Sequence, residues 1–143
     1  MATGEIVGSF CVSEPEAGSD ATSVRTTAVK DGDSYILNGT KRYITNAPAA
    51  DLFTVFARTD PEVSGARGVS ALLVDRSLPG VSLGQPYKKM GQQGAPVCDV
   101  IFEDVRVPAN KFVGGKENVG FITAMKVLDK GRLHISAISV GVA

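Results

Sequence analysis

The fold is indicated most clearly by Phe10-Cys-Val-Ser-Glu-Pro-Glu-Ala-Gly-Ser-Asp20, a short alternating segment that runs into a turn rich in Pro, Gly and Ser. A second segment, Tyr43-Ile-Thr-Asn46, places an aromatic ring and a hydroxyl two residues apart. Because side chains alternate faces along a strand, Tyr43 and Thr45 are predicted to point the same way. The pair suits a flat heterocycle with a polar edge, and residues 17–20 offer backbone N–H groups to a phosphate.

Composition narrows the class of function. The chain has 143 residues, which suits one domain or a domain with an appendage. Its 15 basic and 15 acidic residues balance, which argues against a nucleic acid or an acidic membrane surface as the main partner. No apolar run approaches the roughly 20 residues that a membrane span needs. Residues 1–10 lack the basic and apolar regions of a secretory signal.

The cysteines and the histidine give no sign of a metal site. Cys11 and Cys98 are far apart and form no CxxC motif, so we expect small buried hydrophobic residues and neither a zinc site nor a disulfide scaffold. His134 is the only histidine, which excludes a histidine-rich metal site and argues against an internal Ser-His-Asp triad.

From residue 9 to about residue 107 the pattern predicts strands and turns. Runs rich in β-branched and aromatic residues alternate with Gly and Pro, and Asp31-Gly32 indicates a hairpin. Besides residues 10–13, the predicted strands are 24–30, 34–45, 52–59, 68–75, 81–84, 99–102 and 105–107. Six to eight short strands without intervening helices indicate a mainly β fold, an antiparallel barrel or sandwich.

After Pro108 the apolar period becomes helical. Residues 118–142 place apolar side chains near one face of a long amphipathic α-helix: Phe121, Met125, Leu128, Ile135 and Ile138. Such a helix is stabilised mainly by packing. We therefore predict a fragment of a longer protein, with a β domain at residues 1–110 and, at residues 111–143, a linker and the first helix of a truncated bundle.

Seven ordered segments resemble the acyl-CoA dehydrogenase family over nearly the whole chain. They are residues 8–15, 17–20, 37–41, 43–47, 88–91, 101–108 and 128–132. The resemblance implies the middle β-barrel domain of that family followed by the first helix of its C-terminal helical domain. It also implies FAD between the barrel and the bundle, with the acyl thioester stacked against the flavin.

The resemblance implies a set of cofactor-binding residues: Phe10, Val12, Ser13, Gly18, Ser19, Tyr43, Ile44 and Thr45. Residues 10–13 would meet the pyrimidine edge of the flavin, and Tyr43 would cover the ring system where many relatives have tryptophan. Thr45 would direct its hydroxyl toward flavin N5, with a hydrogen bond worth on the order of 1 kcal/mol.

The same resemblance implies that Ser19, Asp129 and Arg132 bind the CoA substrate. An alternative for the Ser19 segment is turn chemistry, with Gly18 at positive φ and Asp20 as an N-cap. Asp129 and Arg132 lie three residues apart on the predicted helix, so the alternative for them is an exposed ion pair worth only ~0.3 kcal/mol.

The implied reaction is FAD-dependent α,β-dehydrogenation of an acyl-CoA thioester, in fatty acid or amino acid catabolism. A carboxylate removes the α proton as a hydride leaves the β carbon for flavin N5. In most relatives that glutamate lies in the C-terminal bundle, and a minority carry it at the position of Gly131. The catalytic base is therefore expected beyond residue 143, no residue of this chain is assigned as catalytic, and Glu14 is interpreted as structural.

Two alternatives to this function are open at the level of sequence. One is a related flavoenzyme with other chemistry, an acyl-CoA oxidase or a nitroalkane oxidase-like protein. The other is a non-catalytic β-barrel binding module, against which the apolar face of the predicted helix argues because it would invite aggregation. The resemblance further implies electron-transfer flavoprotein as an acceptor, a homotetramer or homodimer, and a bacterial cytoplasm or the mitochondrial matrix.

Overall fold

The hairpin predicted at Gly32 is present in the computed structural model, which describes residues 2–143. Gly32 has a φ of 61°, a left-handed value that glycine adopts without strain and that tight hairpin turns require. It joins two antiparallel strands, β2 (Thr27–Asp31) and β3 (Ser34–Thr45). The turn at Gly32 therefore forms the hairpin that the sequence indicates.

Seven strands form one curled sheet in the order β1-β4-β2-β3-β7-β6, with β5 paired to β4. The remaining strands are β1 (Gly8–Cys11), β4 (Leu52–Arg58), β5 (Val69–Asp75), β6 (Val81–Leu83) and β7 (Val97–Pro108). The mainly β class and the strand number are confirmed. The sheet is nevertheless mixed, because β1 and β2 each pair with β4 in parallel. Along the chain, the β2–β3 hairpin lies between β1 and β4, whereas in the sheet β1 and β4 are neighbours.

The two strands predicted at residues 99–102 and 105–107 are one strand, β7, with an irregularity at Asp104. This residue has a φ of 51°, and the pairing with β3 shifts register between Leu37 and Gly39. The amide of Asn38 exchanges two hydrogen bonds with Asp104, accepting from its backbone N–H at 2.8 Å and donating to its carboxylate at 3.0 Å. A polar pair across the strands thus holds the bulge that the sequence pattern presents as a break.

The hydrophobic core fills the inside of the curl. Large fully buried side chains include Phe53, Leu37 and Leu72, and Phe53 meets Phe102 edge to face with ring centroids 6.5 Å apart. Cys11 and Cys98 are free thiols with no exposed surface, which confirms the interpretation of both as small buried hydrophobic residues. Burial raises the pKa of the Cys11 thiol to about 12.

The helix α1 (Gly120–Val142) begins against β5. Ser70 of β5 is buried, and its Oγ accepts a hydrogen bond from the Asn118 N–H at 2.8 Å while pairing with the Thr59 hydroxyl at 2.6 Å. Gly120 packs directly on the backbone of Ser70. A part-buried polar network centred on Ser70 therefore fixes where the helix starts.

Further along, α1 leaves the sheet. Phe121, Ala124 and Met125 pack on a second apolar cluster with Phe56 and Val69. The later apolar side chains are exposed: Leu133, Ile135, Ile138, Val140 and Val142. Of the predicted apolar face, Phe121 and Met125 thus pack on the sheet while Ile135 and Ile138 are exposed. The division at residue 110 stays a prediction. Within residues 2–143 no helix combines the length and hydropathy that crossing a membrane requires.

Candidate functional site

A cavity of about 430 Å³ lies between the end of β1, the turn after it, β3 and the first turns of α1. Of the residues predicted to bind a cofactor, those that line it are Phe10, Val12, Ser13, Gly18, Ser19, Tyr43 and Ile44. The helix contributes Phe121, Met125, Leu128 and Arg132. Segments distant in sequence therefore meet around one space that is lined by apolar, hydroxyl and charged residues.

Thr45 and Asp129 are the predicted site residues that do not line this cavity. Thr45 is exposed at the end of β3, where it pairs with Val97. Asp129 lies on the helix and accepts a hydrogen bond from the Arg132 guanidinium at 2.7 Å, with both side chains about 70% exposed. The exposed ion pair is thus present, and Arg132 at the same time faces the cavity.

A bulge in β3 presents Tyr43 at the cavity. Tyr43 has a φ of 57°, and the pairing with β7 shifts register between Lys41 and Ile44. Tyr43 and Thr45 are exposed on either side of the buried Ile44, so the predicted alternation holds at the level of exposure. Bulges beside functional sites commonly redirect a side chain, and of these two exposed residues only Tyr43 lines the cavity.

Contacts outside the predicted motifs hold the Tyr43 ring. Tyr87 packs against it with centroids 5.1 Å apart, and the Tyr87 hydroxyl donates to Asp99 at 2.9 Å. Asp99 also accepts two hydrogen bonds at 3.3 Å from Arg42, whose guanidinium lies 6.0 Å from the centre of the Tyr43 ring. Sequence reasoning missed Tyr87 and Asp99 because no local pattern links them to residues so far away along the chain.

The turn after β1 is closed by its own backbone. Glu14 and Ala17 exchange N–H to carbonyl hydrogen bonds at 2.8 and 3.3 Å, and Gly18 and Ser19 follow at the surface of the cavity. The positive φ expected at Gly18 is wrong, since Gly18 is absent from the left-handed glycines of residues 2–143. No atom lies within 4 Å of where a Gly18 Cβ would stand, so the backbone there borders open space.

Asp20 caps the short 3-10 helix Ala21–Ser23, which confirms its expected role in the turn. Its carboxylate accepts hydrogen bonds from the Thr22 N–H at 3.0 Å and from the Ser23 hydroxyl. Hydrogen bonds from Ser23 and Thr22 lower the pKa of Asp20. The carboxylate that borders the cavity is therefore occupied as a structural acceptor, which makes it a poor proton acceptor.

Arg58 binds the backbone of residues 22–24, which follow Asp20. Its guanidinium donates to the carbonyls of Thr22 at 3.1 Å, Val24 at 3.3 Å and Val63 at 2.8 Å. The partners are backbone oxygens from two separate loops, so a single cation ties the cavity-lining segment to the loop before β5.

A buried ion pair lies beneath the turn. Lys41 has no exposed surface, and its Nζ donates to Glu14 Oε1 at 2.7 Å and to the Val12 carbonyl at 3.2 Å. Burial raises the pKa of Glu14, but the charge of Lys41 and hydrogen bonds from Lys41, Thr26 and Arg25 outweigh burial and hold the pKa below its ordinary value. The structural role expected for Glu14 is confirmed. Lys41 was missed because a lysine in a strand is usually exposed.

The chemistry that the cavity can support is binding. Its walls are apolar and aromatic, while Ser13, Ser19 and the Gly18 backbone supply polar groups and Arg132 supplies a cation. Such a surface suits a flat ring with a polar edge joined to an anionic tail. Within residues 2–143, no three His, Cys, Asp or Glu side chains gather as a metal site would require.

Relatives of this chain are found both by sequence and by structure. The family described as "Acyl-CoA dehydrogenase, middle domain" matches residues 9–105. A 3-(aryl)acrylate reductase of Clostridium sporogenes is 47% identical over 143 residues, covering 100% of this chain and 37% of the relative. The CarC subunit of a caffeyl-CoA reductase-Etf complex of Acetobacterium woodii is 48% identical over 141 residues, covering 99% of this chain and 37% of the relative.

Among solved structures, butyryl-CoA dehydrogenase from Megasphaera elsdenii superposes with a TM-score of 0.87 at 41% identity. The match covers 92% of this chain and 34% of that protein. The chain thus spans about a third of the length of the relatives that it matches.

Proposed function

The chain belongs to the acyl-CoA dehydrogenase family, and from this membership we propose that it supplies part of the FAD and CoA site of an enzyme that dehydrogenates an acyl-CoA thioester between its α and β carbons. The single observation that carries the proposal is the cavity at which the strand end at Ser13, the turn at Ser19, the bulge at Tyr43 and the helix at Arg132 meet. Family motifs from four parts of the chain converge there.

The cavity residues fit a flavin. Phe10, Ile44 and Tyr43 offer apolar surface to the ring system, and Ser13 lines the same cavity. The open space at Gly18 leaves room for a pyrophosphate close to the backbone, where N–H groups and the Ser19 hydroxyl are the usual donors. Bound FAD would supply the hydride acceptor of the reaction. The role of Thr45 toward N5 is part of this proposal and rests on the resemblance.

Arg132 and Asp129 are proposed to contact the CoA part of the substrate. Arg132 lines the cavity, and its guanidinium donates to Asp129 at 2.7 Å in an exposed ion pair. The remaining donors of a planar guanidinium suit phosphate or amide oxygens. We therefore propose that the guanidinium N–H groups not bound to Asp129 bind the substrate.

The proton acceptor of the reaction is proposed to come from outside residues 2–143. Asp20 is the carboxylate among the cavity residues, and its oxygens are engaged by Thr22 and Ser23. Position 131, where some family members carry the base, holds glycine with no atom within 4 Å of a Cβ. The contribution of this chain to the chemistry is thus binding and orientation, which can supply a large share of catalysis.

The reverse reaction, reduction of an α,β-unsaturated acyl thioester or acid, is a second candidate. It is favoured by the two relatives at 47% and 48% identity whose names are reductases. The same binding groups serve both directions, because a catalyst stabilises one transition state for both. The name of the CarC relative also supports electron-transfer flavoprotein as the redox partner. We further propose that the complete protein is a homo-oligomer and that it works in a bacterial cytoplasm or in the mitochondrial matrix.

The proposal is tested by absorbance spectra of the complete purified protein under anaerobic conditions. A flavin band that bleaches when one acyl-CoA ester is added supports dehydrogenation and identifies the acyl group. A band that no acyl-CoA bleaches, but that an enoyl-CoA restores after chemical reduction, favours the reductase. Absence of flavin after reconstitution with FAD contradicts the proposal and favours a binding module.

A further inference from the structure

We propose that the buried Lys41–Glu14 ion pair is a positioning device that fixes the backbone of residues 12–19 as the rigid wall of the cavity. The inference rests on the proposed function for what that wall binds. Neither side chain lines the cavity, so both would act through the backbone that they hold.

The pair ties three separate segments together. Lys41 of β3 reaches the Val12 carbonyl at 3.2 Å as well as Glu14 at 2.7 Å. Glu14 accepts in turn from the backbone N–H groups of Arg25 at 2.7 Å and Thr26 at 3.0 Å.

The next residue of β3, Arg42, donates its N–H to the Ser13 carbonyl at 2.8 Å. The carbonyls of two neighbouring cavity residues are thus both bound to β3.

Close packing at Gly39 supports the pair from the other side. A Cβ on Gly39 would lie 2.6 Å from Thr26 Oγ1 and 2.8 Å from Thr26 Cα. The absence of a side chain therefore lets Thr26 approach β3, where its hydroxyl donates to Glu14 Oε1 at 2.5 Å. Gly39 also has a φ of 147°, which favours glycine independently.

Stability alone does not account for this arrangement. Removing two charges from water carries a large desolvation cost, and well-packed apolar residues in place of a buried ion pair are often as stable or more stable. Directional bonds to fixed acceptors give something that apolar packing does not, namely one defined backbone conformation. Glu14 begins the turn closed by Ala17, and that turn leads directly to Gly18 and Ser19 at the cavity.

The test compares the double variant Glu14→Gln/Lys41→Met with Tyr35→Phe in the complete protein. The double variant removes both charges and nearly keeps side-chain volume, so the fold has no uncompensated buried charge. Tyr35→Phe is the matched control, since it removes a part-buried hydrogen bond to Glu117 at a site that does not line the cavity. Two quantities are measured: the dissociation constant for FAD, and amide hydrogen exchange of residues 14–19 in the flavin-free protein.

We expect the double variant to weaken FAD binding about tenfold, as loss of one well-placed hydrogen bond would. We also expect faster exchange at residues 14–19 with unchanged exchange in β4 and β5. The control should keep FAD affinity within about twofold. A double variant with wild-type affinity and wild-type exchange overturns the inference and leaves the pair a role in stability only.

If the double variant does not fold, Thr26→Val decides the matter. It removes only the hydroxyl donor to Glu14, and we expect about threefold weaker FAD binding with faster exchange of the turn. Wild-type values for both quantities overturn the inference. If the wild-type protein binds no FAD, the proposed function fails, and the exchange measurement, which needs no flavin, still decides whether the pair fixes the turn.

Discussion

A methyl group on Gly120 would lie 2.4 Å from the carbonyl carbon of Ser70 and 2.6 Å from the Ala71 nitrogen. Real Cβ atoms do not approach backbone so closely, so the helix rests on β5 only because it starts with glycine. We expect Gly120→Ala to lower the free energy of unfolding by about 1–3 kcal/mol, since α1 must move away from β5. Urea denaturation measures the change.

Gly131→Ala is the matched control for that substitution. Gly131 lies in the interior of the same helix, and no atom is within 4 Å of its Cβ position. Alanine is the better helix former there, so the free energy of unfolding should rise by about 0.5–1 kcal/mol. Equal effects of the two substitutions would show that helix propensity and not contact with Ser70 governs the first position.

The decrease in the free energy of unfolding at acidic pH should depend on Glu14. Its pKa in the folded protein lies below the ordinary value of 4.5, because the charge of Lys41 and several hydrogen bonds outweigh the effect of burial. A depressed pKa contributes stability that is present above the unfolded value and is lost as pH falls through the folded value.

We therefore expect the free energy of unfolding of the wild type to fall as pH drops below about 4.5. Glu14→Gln should be less stable at pH 7 and should lose less additional stability on acidification. Glu16→Gln is the control, because the Glu16–Arg25 pair is well exposed and a surface pair is worth at most about 1 kcal/mol. An unchanged pH profile in Glu14→Gln would contradict the assignment.

Both cysteines should resist thiol reagents in the folded protein. Cys11 and Cys98 have no exposed surface, and burial, opposed in part by Lys41, raises the pKa of Cys11 to about 12. The thiolate is the reactive form and is nearly absent at pH 8. We expect no labelling by a thiol-reactive disulfide at pH 8 and labelling of both thiols in denaturant. Fast labelling of Cys11 in the folded protein would show that β1 opens.

Ser19→Ala in the complete protein should weaken the binding of FAD or of acyl-CoA. Ser19 is exposed at the cavity, and one hydroxyl hydrogen bond to a charged group is worth about 1.5 kcal/mol, or roughly tenfold in affinity. Ser82→Ala on β6, an exposed serine that does not line the cavity, is the control. Wild-type affinity for both ligands would limit Ser19 to a role in the turn.

The sequence predicted those parts of the fold that depend on neighbours in the chain. The Asp31-Gly32 hairpin, the capping role of Asp20 and the helical period after Pro108 each arise from local preferences. The motifs around Ser13, Ser19 and Tyr43 also predicted which segments meet, because the family resemblance carries information about contacts between distant segments.

What the sequence left out depends on distant contacts. Lys41 in a strand pattern resembles any solvated lysine, and only the position of Glu14 makes its burial possible. Tyr87 and Asp99 support Tyr43 from other parts of the chain. The parallel pairing of β1 with β4 has no local signal either, because nothing in either strand specifies the direction of its partner.

That parallel pairing has a consequence for the order in which the molecule assembles. Phe10 of β1 lies opposite Thr54 of β4, and the whole β2–β3 hairpin separates them along the chain. Closing a long loop costs more chain entropy than closing the two-residue turn at Gly32, so the hairpin can form before β1 has a partner. Pulse-labelled amide exchange during refolding should protect β2 and β3 before residues 8–11. The wall proposed to hold the cofactor is then among the last parts of the protein to form.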